Sequence, residues 1–173
     1  TTAAITNATY SWTRSLDNPF PFGTVQSLLD LGYTPYEVYS FVSSNPTYGN
    51  LSSLYGNIYQ GGYLFYLDTI SKVGFIAAPN DESICDWGLG CIVGSNNGIS
   101  TSDDLFKGQT NTNLILAGSG LVCSNTNIAA ALCDSSFQSG FTDWFLPSLN
   151  ELNELHDNLT ILGSINFASD FYW

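Results

Sequence analysis

Positive charge is almost missing from this sequence. Lysine and arginine number three in 173 residues, at Arg14, Lys72 and Lys107, against fifteen acids, for a net charge of −12. So few cations leave almost nothing to neutralise a phosphate backbone or anionic lipid headgroups, which excludes nucleic-acid binding and membrane-surface docking. Long apolar runs are missing too. Uninterrupted stretches such as 63–67 and 74–78 fall far short of the roughly 18 residues that a spanning helix needs, so no membrane insertion is expected. Methionine does not occur, and 10% of residues are charged, where about 25% is usual. The polar surface must therefore come from Ser, Thr, Asn and Gly. A processed extracellular product has this composition, so an extracellular or cell-surface location is expected, with Thr1 either a mature N-terminus or an artificial boundary.

What is present is core material. Hydrophobic residues make up 44% of the chain and aromatics 14%, enough to offset chain entropy within one domain or one domain plus an appendage. Four cysteines, Cys85, Cys91, Cys123 and Cys133, form two local pairs. Of their three pairings we expect Cys85 with Cys91 and Cys123 with Cys133, each short loop worth roughly 2–3 kcal/mol in the chain-entropy model. A zinc site is the weaker reading. Neither pair has the C-x2-C or C-x4-C spacing, and the single histidine, His156, is remote in sequence.

The first 23 residues alternate β-branched and small polar residues and break at Pro19 and Pro21, which reads as an extended arm. Residues 24–55 read as a short helical lead-in. Thr24 caps a helix that carries Leu28, Leu29 and Leu31 and stops at Gly32; Thr34 and Pro35 open a second, with Tyr36, Tyr39 and Val38 along one side. From Ile58 the pattern turns to β: IYQGGYLFYLD, a polar tip SKVG, and the return GFIAAP predict a hairpin, with Gly61 and Gly62 marking a bulge or a close backbone approach. Residues 80–104 read as a long loop, and 111–117 and 127–133 as short helices. Last, FTDWFLPSLNELNELHDNL predicts a short strand at 141–146. A helix follows, with Ser148 as cap, Glu151 completing a capping box, and a stripe of Leu149, Leu152, Leu155 and Leu159.

YQGGYLFYLD, VGFIAAPND, the W-G-x-G-C stretch at 87–91, KGQTNTNLILAG, NIAAALCD, GFTDWFLPSLNELNELHDNL and FASDFYW, in that order, resemble the Lcl C-terminal domain family over about residues 56–173. The core that includes Trp144, Pro147, Ser148 and Glu151 is the best identifier. The resemblance implies an α+β, C-type-lectin-like domain of secreted bacterial surface proteins, whose namesake is a trimeric adhesin that binds sulfated polysaccharides. It differs at its end: the family continues past Y-W into further strands, whereas this chain ends at Trp173, so the domain at 56–173 is expected to lack its last part. An artificial boundary, processing, or completion of the sheet by a neighbouring chain would each account for this. For the third, the arm at 1–18, with Ile5, Tyr10 and Trp12, is the candidate donor strand.

Catalysis finds little support. His156 sits beside the apolar stripe of a helix, Glu151 is explained by the capping box, and Glu154 by solvation; no G-x-S-x-G, P-loop or H-E-x-x-H occurs. The chain is therefore not expected to be an enzyme. Calcium is the cation that the loop acids suit, with Asp81, Glu82 and Asp86 as ligands, although solvated acids are the plainer reading. Trp87, Asp103 and Asp104 are candidate ligand-binding residues, and Tyr63 and Tyr66 candidate stacking residues. Three cations cannot build a basic groove, so the namesake's sulfated ligand does not carry over. Sequons stand at Asn7, Asn50 and Asn158. The expected role is adhesion or extracellular assembly, with self-association into an oligomer or filament and a glycan or surface protein as partner; a calcium-assisted glycan receptor is the further alternative.

Overall fold

In a computed structural model, the described residues are 24–82, 101–122 and 128–160, the side chains of 119–122 excepted. The arm, the first cysteine pair, Cys123, Asp86, Trp87 and Asn7 lie outside them.

Helices α1 (Val25–Asp30) and α2 (Pro35–Ser44) form where their caps predict. Thr24 closes a capping box with Ser27, and Thr34 closes one with Glu37, whose carboxylate accepts from the Thr34 backbone N–H at 2.8 Å. The buried stripe of α2 is Pro35, Val38 and Val42, while Tyr36 and Tyr39 are half-buried at its flank. Leu31 faces water, because it is the C-cap rather than part of the helix. Two 3-10 turns, Pro46–Tyr48 and Leu51–Leu54, lead into the sheet.

That sheet is antiparallel in the order β1–β2–β3, with β1 at Ile58–Tyr59, β2 at Gly62–Asp68 and β3 at Val73–Ala77. The glycine pair does not mark a bulge. Gln60 and Gly61, with φ of 49° and 78°, make the two-residue turn between β1 and β2, where a left-handed backbone matches strand twist. Gly62 is the close approach, since a Cβ there would lie 2.6 Å from the Ala77 carbonyl oxygen. The bulge falls instead between Leu64 and Tyr66, where the register against β3 shifts. Its effect is on direction: Leu64 and Leu67 pack toward α1 and α2, whereas the consecutive Phe65 and Tyr66 both pack on the opposite side.

Two helices then complete a third cluster. α3 (Gly108–Val122) is longer than its apolar cluster predicts, and α4 (Ala129–Asp134) follows; Ile115, Ile128, Ala129, Ala130, Cys133 and Leu146 pack together. The segment 141–146 is not a ladder strand. Trp144, Phe145 and Leu146 are buried in succession, each in a different cluster, which a strand with alternating faces cannot provide. Thr112 on α3 replaces the missing strand partner: its hydroxyl accepts from the Leu146 N–H at 3.0 Å and donates to the Leu146 carbonyl at 3.3 Å.

α5 (Leu149–Thr160) starts on the predicted box: Ser148 N–H donates to Glu151 Oε2 at 2.7 Å and Glu151 N–H donates to Ser148 Oγ at 3.3 Å. Its stripe is shifted. Leu155 and Leu159 are buried and Leu152 half-buried, but Leu149 is exposed and Glu151 takes the innermost place of the first turn. The result is an α+β arrangement with α1 and α2 on one face of the sheet and α5 on the other. The helical lead-in shares one core with Leu64, Leu67, Ile76 and Trp144.

Candidate functional site

On the α5 side of the sheet the bulge sets Tyr66 next to Phe75, and the turn before α3 lays Phe106 over both. Ring centroids are 5.5 Å for Tyr66–Phe75, 4.8 Å for Phe75–Phe106 and 6.1 Å, at 69°, for Tyr66–Phe106. Phe106 is 41% exposed and holds φ at 64°, a left-handed conformation that a bulky aromatic seldom adopts. Glu154 reaches the same corner from α5. Asn158 positions it, donating from one amide to the Phe65 carbonyl at 3.0 Å and to Glu154 Oε2 at 3.1 Å.

Asp68 closes β2 and caps the next turn, accepting from the Ile70 N–H at 2.9 Å and the Ser71 hydroxyl at 2.6 Å. Those bonds, the Ser71 hydroxyl foremost, hold its carboxyl below the usual value of 3.8. The Tyr66 phenol is pushed above 10.0, first by burial and then by the negative charges of Asp68 and Glu154. Tyr55 is raised too, by burial foremost, with Glu154 again contributing. Both carboxylates therefore act on the aromatic corner, and among the described residues no cation lies within 4.0 Å of either.

A second polar junction stands where β3 leaves the sheet. Gln138 holds Asn80 through both backbone groups, accepting from its N–H at 3.3 Å and donating to its carbonyl at 3.2 Å. The Glu82 carboxylate accepts from Gln138 Nε2 at 2.8 Å and from the Ser136 hydroxyl. Glu82 is thus an anchor for the chain entering 83–100. Asp81 beside it is exposed. Asp103 and Asp104 lie in the exposed turn before α3, with Asp104 bonded to the Ser102 hydroxyl at 2.9 Å and Ser102 held by Asn111 of that helix. Among the described residues, no group of three or more His, Cys, Asp or Glu side chains is placed to hold a metal ion, so Asp81, Glu82, Asp103 and Asp104 do not converge.

The remaining predicted residues are dispersed. Trp144 is buried, its indole N–H donating to the carbonyls of Phe141 at 3.1 Å and Gln138 at 3.3 Å. Glu151 is 0% exposed, and His156 is exposed on α5 beside Asp157. Cys133 is buried on α4, while its expected partner Cys123 is outside the described residues. Of the sequons, Asn50 is exposed and caps the second 3-10 turn, whereas Asn158 is half-buried with its amide engaged as above. Reasoning from sequence did not single out Phe106, Gln138 or Thr112, since nothing local distinguishes them from ordinary loop or helix residues. Among the described residues, no helix is long and apolar enough to cross a membrane. Compared with protein-family models, curated proteins and solved structures, the chain matches none.

Proposed function

We propose that the chain is a secreted, non-enzymatic surface or appendage protein, acting in adhesion or extracellular assembly through a C-type-lectin-like domain of the Lcl C-terminal kind. What supports the non-enzymatic part of this reading is the placement of the three side chains considered above for acid–base work. Glu151 is enclosed as a helix cap, Glu154 is held by Asn158, and His156 points to water beside Asp157. No two of the three share a hydrogen bond in which one could act as base for a nucleophile positioned by another. Large apolar side chains stand exposed as well, Ile70 at 91% and Phe137 at 71%, on a chain in which 10% of residues are charged.

A filament subunit completed by strand addition is the second reading, favoured by the two edges of the sheet. The β1 edge is blunted by Gln26, which donates to the Ile58 carbonyl at 2.9 Å and accepts from its N–H at 2.7 Å. β3 has no second strand partner among the described residues. Electron microscopy with size analysis of the native material, beside a version lacking residues 1–18, separates the readings. Regular filaments that vanish with the arm establish strand addition. Discrete particles from both preparations refute it and direct the search to glycans, with and without calcium. Turnover of a glycan by the native protein would overturn the non-enzymatic reading.

A further inference from the structure

The corner formed by Tyr66, the buried Phe75 and the 41% exposed Phe106 lies beside Asp68 and Glu154, neither of which has a cation within 4.0 Å among the described residues. Aromatic faces attract cations through their quadrupole, and more strongly as water is displaced. The edge-on arrangement of Phe106 against Tyr66 leaves two ring surfaces at an angle; Asp68 follows Tyr66 by two residues on the same face of β2, and Glu154 is tied through the Asn158 amide to the Phe65 carbonyl next to Tyr66. The chain already makes such a pair elsewhere, with the Lys72 ammonium 4.7 Å from the centre of the Tyr36 ring. Phe106 is held in a left-handed backbone conformation that sets its ring 4.8 Å from that of the buried Phe75 while 41% of the residue stays exposed.

Resting on the adhesive reading above, we propose that this corner docks an arginine-bearing surface segment of a partner protein, the guanidinium lying on Phe106 and Tyr66 and facing Glu154 and Asp68. Charge complementarity selects the occupant. With a net charge of −12 the chain repels acidic partners, and a guanidinium, planar and weakly hydrated, suits stacking on a ring and pairing with carboxylates at once. Lys107, next to Phe106, is the local opposing charge and should weaken the contact.

The test is titration of the full chain with a short blocked peptide carrying two arginines, followed by NMR of the Tyr66 and Phe106 ring protons, with the glutamine version of the peptide as control. Saturable shifts with the arginine peptide and none with the control are expected. Phe106→Leu, which keeps the volume and removes the π face, should weaken binding about threefold. Glu154→Gln, which keeps an acceptor for Asn158, should weaken it by a similar factor, and Lys107→Gln should tighten it. Raising the salt to about 1 M, where the Debye length is about 3 Å, should suppress the response. Equal binding of the glutamine peptide, shifts away from these two rings, or wild-type affinity in both Phe106→Leu and Glu154→Gln overturns the inference. Choline competing as well as the arginine peptide also overturns it, in favour of a small quaternary ammonium ligand. These outcomes are independent of filament formation, so the inference and the proposed function fail by different results.

Discussion

Replacing Glu151 by alanine removes a carboxylate that caps two helices at once. The side chain is 0% exposed; Oε2 accepts from the Ser148 N–H at 2.7 Å at the start of α5, and Oε1 from the Gly108 N–H at 3.3 Å at the start of α3. Two helix N-termini, each with partial positive charge, converge on this anion and replace the cation that a buried carboxylate would otherwise need. Removing it strands two buried donors at about 1–3 kcal/mol each. Glu151→Ala should therefore cost about 3–5 kcal/mol, a large share of the roughly 5–15 kcal/mol that holds a domain folded. Glu151→Gln keeps the shape and one acceptor but turns an amide donor toward an N–H donor, and should cost less, about 1–3 kcal/mol. Ser148→Ala, which removes only the cap to the Glu151 N–H, should cost about 1 kcal/mol. The assay is urea unfolding by circular dichroism, comparing midpoints at constant slope. A cost below about 1 kcal/mol for Glu151→Ala, or a glutamine variant no better than alanine, would refute the double-cap account.

Thr112→Val should destabilise by about 2–4 kcal/mol, because the Leu146 N–H and carbonyl both lose their partner, while Thr112→Ser should retain most of the stability; the same unfolding assay ranks them. Gly108→Ala should be destabilising by about 1–3 kcal/mol despite the better helix propensity of alanine, since the new methyl would fall on Glu151 Oε2 and lie 2.6 Å from Phe145 and 2.8 Å from the Leu146 carbonyl; a rise in melting temperature would contradict this. The Tyr66 phenol, raised in the folded state, should contribute stability that is fully present below pH 10.0 and lost as pH rises through its folded value, as the unfolded chain ionises first; ultraviolet titration should show this step at lower pH in Tyr66→Phe-corrected spectra of Glu154→Gln than of wild type. Asp68, lowered in the folded state, should contribute stability that is present above pH 3.8 and lost as pH falls through its folded value, and Asp68→Asn should flatten that acid limb.

Local chemistry made the helix starts readable. Thr24, Thr34 with Glu37, and Ser148 with Glu151 satisfy orphan N–H groups within a few residues of themselves, so their role is visible in a short window of sequence. The hairpin was legible for the same reason, from alternating apolar runs around a polar tip. Its details were not. Whether the paired glycines form a turn or a bulge depends on which strand lies opposite, and the bulge itself sits at Leu64–Tyr66, in a run of five apolar residues where no local preference distinguishes one register from the next.

Sequence by itself determined the charge imbalance, the hairpin and the helix caps, all properties of composition or of near neighbours along the chain. Tertiary structure alone decided the rest. It turned Tyr66 to the α5 face through the bulge, brought Phe106 and Glu154 to it from α3's leading turn and from α5, gave Leu146 a threonine in place of a strand, and set the Glu151 carboxylate between two helix starts, bonded to Gly108 43 residues away. Each of these joins groups far apart in sequence. Such contacts form only when buried apolar surface forces distant elements together, and the polar groups then take the partners that packing leaves within reach.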